Sequence, residues 1–157
     1  MMEHEYLEEF GLHVVRARDP FSLEQLFRLI VEDYGREGAK GISKPVLFDL
    51  REVDLGQIPP EEIRRHLMKK SVLDKSVTHI VVAYLVDGLS SQVAVRMAST
   101  FAELTGLPGE DKSLVTEDLV TAIDFLAETV GLSVAEVDLL EARLAPKAIV
   151  MFPRGSA

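Results

Sequence analysis

Cysteine and tryptophan are absent from this 157-residue chain. The lack of cysteine excludes disulfide bonds, thiolate metal ligands and a cysteine nucleophile, and it is typical of a protein in a reducing compartment. Long hydrophobic runs are absent too, since the longest, Ile80–Val86, is far shorter than the roughly 20 residues of a membrane helix. The acidic segment MMEHEYLEEFG has no basic stretch followed by an apolar one, so no signal peptide is expected. We therefore expect a cytoplasmic protein without a membrane span.

Basic residues are in the minority. The chain has 26 acidic residues against 17 lysines and arginines, which gives a net charge of −9. Nucleic acid is not expected as a partner, because phosphate binding needs a basic face. One basic cluster lies on a short predicted helix, where a solvated helix face is a more common outcome than a phosphate patch. Its members are Arg64, Arg65, Lys69 and Lys70.

Length and composition favour one domain over residues 1–157. The hydrophobic fraction is 47% and the charged fraction 27%, which are ordinary values for a globular chain large enough to bury a core. There is no internal repeat and no linker rich in proline, glycine and serine.

The stretch Thr78–Gly106 carries the clearest structural signal. Its apolar, β-branched run Ile80–Val86 predicts a central strand that is covered on both faces. The run breaks at Asp87-Gly88, a helix is predicted from about Ser91, and Gly106 supplies its end. Loops of this kind, at the carboxyl end of a strand in an α/β sheet, are common places for ligands.

Further strands are predicted on both sides of this stretch. Residues 1–10 read either as a loose arm or as an edge strand. The other predicted strands are Leu12–Ala17, Pro45–Leu50 and Lys112–Val115. Because helices are predicted between successive strands, the fold class is α/β with a mostly parallel or mixed sheet.

The first helix has well-defined sequence signals. Ser22 is a typical N-cap, and Gln25 three residues later completes a capping box. Gly35 is the expected end of this helix, followed by a loop over Arg36–Lys44.

The later helices also have start signals. Pro60 suits the first position of a helix, and Thr116 is the expected cap of another. Ser133 and Glu136 form a second capping box, which opens a helix to about Leu144. After it, Ala148–Phe152 is predicted to be a strand, so residues 133–157 form a helix–strand extension.

Three segments together resemble the STAS-like domains, in particular the SpoIIAA-like branch. They are PVLFDLREVDL, VVAYLVDGLSSQVAVRMASTFAEL and LVTEDLVTAIDFL. The resemblance covers about residues 10–130 and leaves the extension outside. It implies a curved mixed sheet with packed helices, and a role in binding proteins, nucleotides or lipids.

The phosphorylation switch of that family is not expected here. Its best-known members carry a regulatory serine at the start of the helix that follows the strand corresponding to Val46–Leu50. In this chain Asp54–Arg65 contains no serine or threonine, and Pro59-Pro60 occupies the helix start.

Two carboxylates and two hydroxyls are the candidate chemical groups. Asp49 and Asp87 both follow strands, so they could meet at one sheet edge for metal or acid–base chemistry, although capping or chain turning is more common for such residues. Ser90 and Ser91 could act as a nucleophile, a phosphorylation site or anion donors, but N-capping is the commoner role. Arg96 could reach Asp87 or a ligand, and an edge salt bridge is the usual outcome.

The histidines are scattered, and no pair has the helical spacing of a metal site. They are His4, His13, His66 and His79. His66, on the basic helix, is expected to be exposed. No metal and no cofactor is predicted.

Three hypotheses follow. The first is a non-enzymatic binding module of STAS-like type that acts through a protein partner or small ligand. The alternatives are a small acid-dependent hydrolase using Asp49, Asp54 and Asp87, and an oligomeric scaffold, such as a homodimer, organised by residues 133–157. The predicted partner surface of the first hypothesis consists of Asp49, Arg51, Asp54, Asp87, Gly88, Ser90, Ser91 and Arg96.

Overall fold

Strands and helices alternate along most of the chain. A computed structural model describes residues 1–42, 44–74, 81–106 and 112–145, with the side chains of 33–42 and 73–74 excepted. A 3₁₀ turn at Leu55–Gln57 joins the third strand to the second helix. The elements of the described residues are β1 (Met2–Leu7), β2 (Leu12–Arg18), α1 (Leu23–Ile42), β3 (Val46–Glu52), α2 (Pro60–Asp74), β4 (Val81–Leu85), α3 (Leu89–Thr105), β5 (Lys112–Thr116), α4 (Leu119–Val130) and α5 (Val134–Leu144).

The five strands form one sheet in the order β1-β2-β3-β4-β5. β1 is the edge strand of an antiparallel hairpin with β2, and the other three pairings are parallel. The predicted α/β class with a mixed sheet is therefore confirmed. No helix in the described ranges is long and apolar enough to cross a membrane.

Helices cover both faces of the sheet. Side chains alternate along β4, so that Val82 faces one cluster of buried residues while Ala83 faces the other. One face packs against α1, α2 and α3, as expected when strand order advances in one direction and successive crossovers have the same hand. The opposite face packs against α4 and α5 through residues such as Ile123 and Leu140. The predicted burial of the central strand on both faces is confirmed over Val81–Val86; Ile80 lies outside the described residues.

Helix α1 is longer than predicted. It continues to Ile42, so the expected end at Gly35 and the expected loop over Arg36–Lys44 are wrong. A glycine inside a helix costs only about 1 kcal/mol relative to alanine, so it permits a helix end without requiring one.

Two predicted helix starts are also displaced. α3 begins at Leu89, directly after Gly88, whose φ of 91° makes the turn, so neither Ser90 nor Ser91 is the N-cap. The N-cap of α4 is Asp118 instead of Thr116; its side chain accepts a hydrogen bond from the Thr121 amide.

Several local signals are confirmed. The Ser22 hydroxyl accepts a hydrogen bond from the Gln25 amide at 3.1 Å, and Pro60 is the first residue of α2. The capping box of Ser133 and Glu136 has both reciprocal hydrogen bonds. The predicted strand Ala148–Phe152 lies outside the described residues.

Candidate functional site

Two loops meet at the carboxyl end of the parallel strands, where the sequence predicts a binding surface. The carboxylate of Asp54 accepts hydrogen bonds from the Ser90 hydroxyl at 3.2 Å, the Gly56 amide at 3.0 Å and the Gln57 side chain at 3.2 Å. The hydrogen bond from Gln57, followed by that from Ser90, lowers the pKa of Asp54. The predicted proximity of Asp54 and Ser90 is therefore real, and it serves to join the two loops.

Ser91 makes the buried part of this junction. Its hydroxyl accepts a hydrogen bond from the Leu55 amide at 3.0 Å and donates one to the Val53 carbonyl at 3.4 Å. The backbone comes so close that a Cβ on Gly56 would lie 2.7 Å from the Cβ of Ser90. We call residues 53–57 together with Ser90 and Ser91 the loop clasp.

A second polar group lies on β3. Arg51 donates two hydrogen bonds to Asp49, with distances of 2.9 Å to Oδ1 and 2.8 Å to Oδ2. The hydrogen bond with Asp49 is the main cause that raises the pKa of Arg51, with smaller contributions from the charges of Glu52 and Asp87. Asp49 thus stabilises its own arginine, and Asp87 contributes to the field at that arginine from an exposed position.

The remaining predicted site residues do not join either group through a side chain. Gly88 donates its amide to Glu117 at 3.0 Å. Arg96 is exposed and makes no ion pair within the described part of the chain, so the expected edge salt bridge is not formed there. Across the described ranges, no three His, Asp or Glu side chains are grouped in a way that could hold a metal ion.

Two histidines that are distant in sequence come together across β1 and β2. The Nε2 of His4 lies 2.8 Å from the Nδ1 of His13, and their rings stack with centroids 5.0 Å apart. Tyr6 contacts the same buried His13 ring at 4.7 Å. Only the antiparallel pairing of residues 2–7 with 12–17 could have revealed this cluster.

A cavity of about 120 Å³ lies between the sheet and helices α1, α2 and α3. Two of its walls come from the segment around the loop clasp, which contributes Leu55 and Ile58. Almost all the lining side chains are apolar. The lining residues are Phe21, Leu23, Leu26, Ile30, Phe48, Leu50, Leu55, Ile58, Ile63, His66, Leu67, Lys70, Tyr84, Ala94, Val95, Ala98, Ser99 and Ala102.

His66 is the buried polar ring of this cavity, and the prediction that it is exposed is wrong. Its Nδ1 is fully buried and has no hydrogen-bond partner. Burial, and then the charges of Lys70 and Lys69, lower the pKa of His66 to about 4. The imidazole is therefore neutral near pH 7, and its edge packs against the ring of Phe27 with centroids 6.4 Å apart.

A sequence signal for this position does exist. Ile63, His66, Leu67 and Lys70 have the spacing i, i+3, i+4 and i+7, which places all four on one face of a helix. That face is the one that lines the cavity. The density of basic residues on the helix concealed the pattern.

The chain matches no protein-family model, no curated protein and no solved structure. The site must therefore be interpreted from its own geometry.

Proposed function

We propose that this chain is a non-enzymatic binding module of STAS-like type, and that its ligand is a small, mainly apolar molecule held in the cavity. The observation that carries the proposal is the cavity itself. Protein interiors are close-packed and contain few voids larger than a water molecule. A void of about 120 Å³ with apolar walls approaches the size of engineered cavities that stay dry and bind benzene.

The STAS-like part of the proposal rests on the three resembling segments. They correspond in the fold to β3 with its loop, β4 with α3, and β5 with α4. A mixed sheet with packed helices is what the resemblance implies. A cytoplasmic location belongs to the same proposal, supported by the absence of cysteine.

The geometry favours the cavity over the loop clasp as the ligand site. The polar groups of the clasp already bond one another: Asp54 is joined to Ser90, and Leu55 to Ser91. A ligand there would have to replace these hydrogen bonds. In the cavity a ligand gains apolar contacts at no such cost, because burial of apolar surface is favourable by about 25 cal/mol per Å². The role of the clasp is then to hold Leu55 in the cavity wall.

Titration with toluene, followed by methyl NMR spectra, tests the proposal. We expect saturable shifts at residues that line the cavity. Ala98→Leu should abolish them, because it places three extra carbons inside the cavity. The matched control is Ala142→Leu, the same change at an exposed position of α5, which should leave toluene binding unchanged. Absence of saturable shifts in the unmodified protein, or equal effects of the two variants, would contradict the proposal.

A further inference from the structure

His66 brings unused hydrogen-bonding capacity to an otherwise apolar cavity. Its Nδ1 is wholly buried without a partner, and neither ring nitrogen bonds to the described part of the chain. Buried polar atoms nearly always have a partner, so an unsatisfied imidazole needs an explanation, such as a bound molecule. The wholly buried Nδ1 is out of reach, which leaves Nε2 as the nitrogen available to a ligand.

We propose that the ligand is a single-ring or similarly compact molecule that carries one hydroxyl group, and that this hydroxyl bonds to His66. This inference rests on the proposed function and names the chemistry of its ligand. Phenol is the simplest probe with these properties.

The neutral state of His66 is what favours a hydroxyl. A neutral imidazole has one N–H donor and one acceptor nitrogen, and a hydroxyl can both donate and accept. A hydroxyl therefore satisfies the accessible nitrogen in either tautomer, whereas a carboxylate can bond only to an N–H. The nearby charges of Lys69 and Lys70 disfavour a cationic ligand.

The size of the cavity limits the ligand to about one ring. Benzene binds an engineered cavity of about 150 Å³, and the present cavity measures about 120 Å³. Among the lining residues, Lys70 and Tyr84 already interact with other groups of the protein, so His66 is the residue we assign to the ligand.

The test compares phenol, toluene and benzoate by NMR titration of the full chain. The informative quantity is the ratio of the dissociation constants for toluene and phenol, because it cancels the apolar contacts that the two molecules share. We expect this ratio to fall roughly five- to tenfold in His66→Leu, the equivalent of one hydrogen bond. The matched control, Ile63→Leu, changes another lining residue of α2 without removing a polar group and should keep the ratio of the unmodified protein.

A second measurement on the unmodified protein needs no variant to fold. The imidazole ¹⁵N resonances of His66 should shift when phenol binds and remain unchanged when toluene binds. An equal toluene-to-phenol ratio in the protein and in His66→Leu would overturn the inference while leaving the proposed function intact. Tighter binding of benzoate than of phenol would overturn it in favour of a carboxylate. If neither toluene nor phenol binds, both the inference and the proposed function fail.

Discussion

Replacing Ser91 by alanine should loosen the loop clasp and weaken the cavity wall. The hydroxyl of this fully buried residue is the acceptor for the Leu55 amide at 3.0 Å. Alanine cannot accept that hydrogen bond, and the side chain of Leu55, which lines the cavity, loses the anchor of its backbone.

The magnitude follows from the groups left without a partner. A buried N–H that loses its acceptor costs about 1–3 kcal/mol. The second contact, from the Ser91 hydroxyl to the Val53 carbonyl, is long at 3.4 Å and adds little. We therefore expect the free energy of unfolding to fall by about 2 kcal/mol. For a chain of 157 residues this corresponds to a decrease in Tm of about 4–8 °C.

Thermal and urea unfolding of Ser91→Ala measure this change, and Ser90→Ala is the matched control. Ser90 is exposed and makes one hydrogen bond, to Asp54, so the same chemical change should cost no more than about 0.5 kcal/mol. Toluene binding should weaken in Ser91→Ala only. If Ser90→Ala destabilises the protein as much as Ser91→Ala, the account of the clasp is wrong.

Three further predictions concern other contacts. Gly56→Ala should destabilise the protein, because its Cβ would lie 2.7 Å from that of Ser90, and adding Ser90→Gly should recover most of the loss; a double variant no more stable than Gly56→Ala would refute the steric argument. His66 has a pKa of about 4 in the fold against 6.5 when unperturbed, so the unfolded state binds more protons between these values and stability falls as the pH falls. Urea unfolding at pH 7 and 4.5 should therefore show roughly 2 to 3 kcal/mol of acid destabilisation that His66→Leu lacks, and an equal loss in both proteins would contradict this. Asp49→Asn should lower the free energy of unfolding by about 1–3 kcal/mol, because it disrupts the partly buried pair with Arg51; a loss below about 0.5 kcal/mol in urea unfolding would show that the pair contributes little.

The fold class was predictable because its signals are local and strong. The run Ile80–Val86 is too apolar for an edge strand, and the capping box at Ser133 starts a helix through contacts only three residues apart. The helix end at Gly35 failed for a physical reason, since glycine tolerates both helical and left-handed backbone and only tertiary packing decides between them.

The candidate site was predictable only in part. The sequence places Asp54 and Ser90 at neighbouring strand ends, which meet in the structure, but it cannot show that they bond each other. Ser91 was expected to cap its own helix; its actual partner, Leu55, lies 36 residues away, and local sequence carries no record of such a contact. The cavity depends on side chains from three helices and two strands, so it could not be predicted from any one segment. The burial of His66 could have been predicted from helical spacing.

The central claim is that the space beneath α1, α2 and α3 is a ligand site. Titration of the unmodified protein with toluene, read from the methyl resonances, tests this claim most directly. The account predicts saturable shifts at cavity residues such as Leu55 and Val95, and none at the exposed Leu139 of α5. Shifts that are absent up to the solubility limit of toluene, or that spread equally to Leu139, would contradict it.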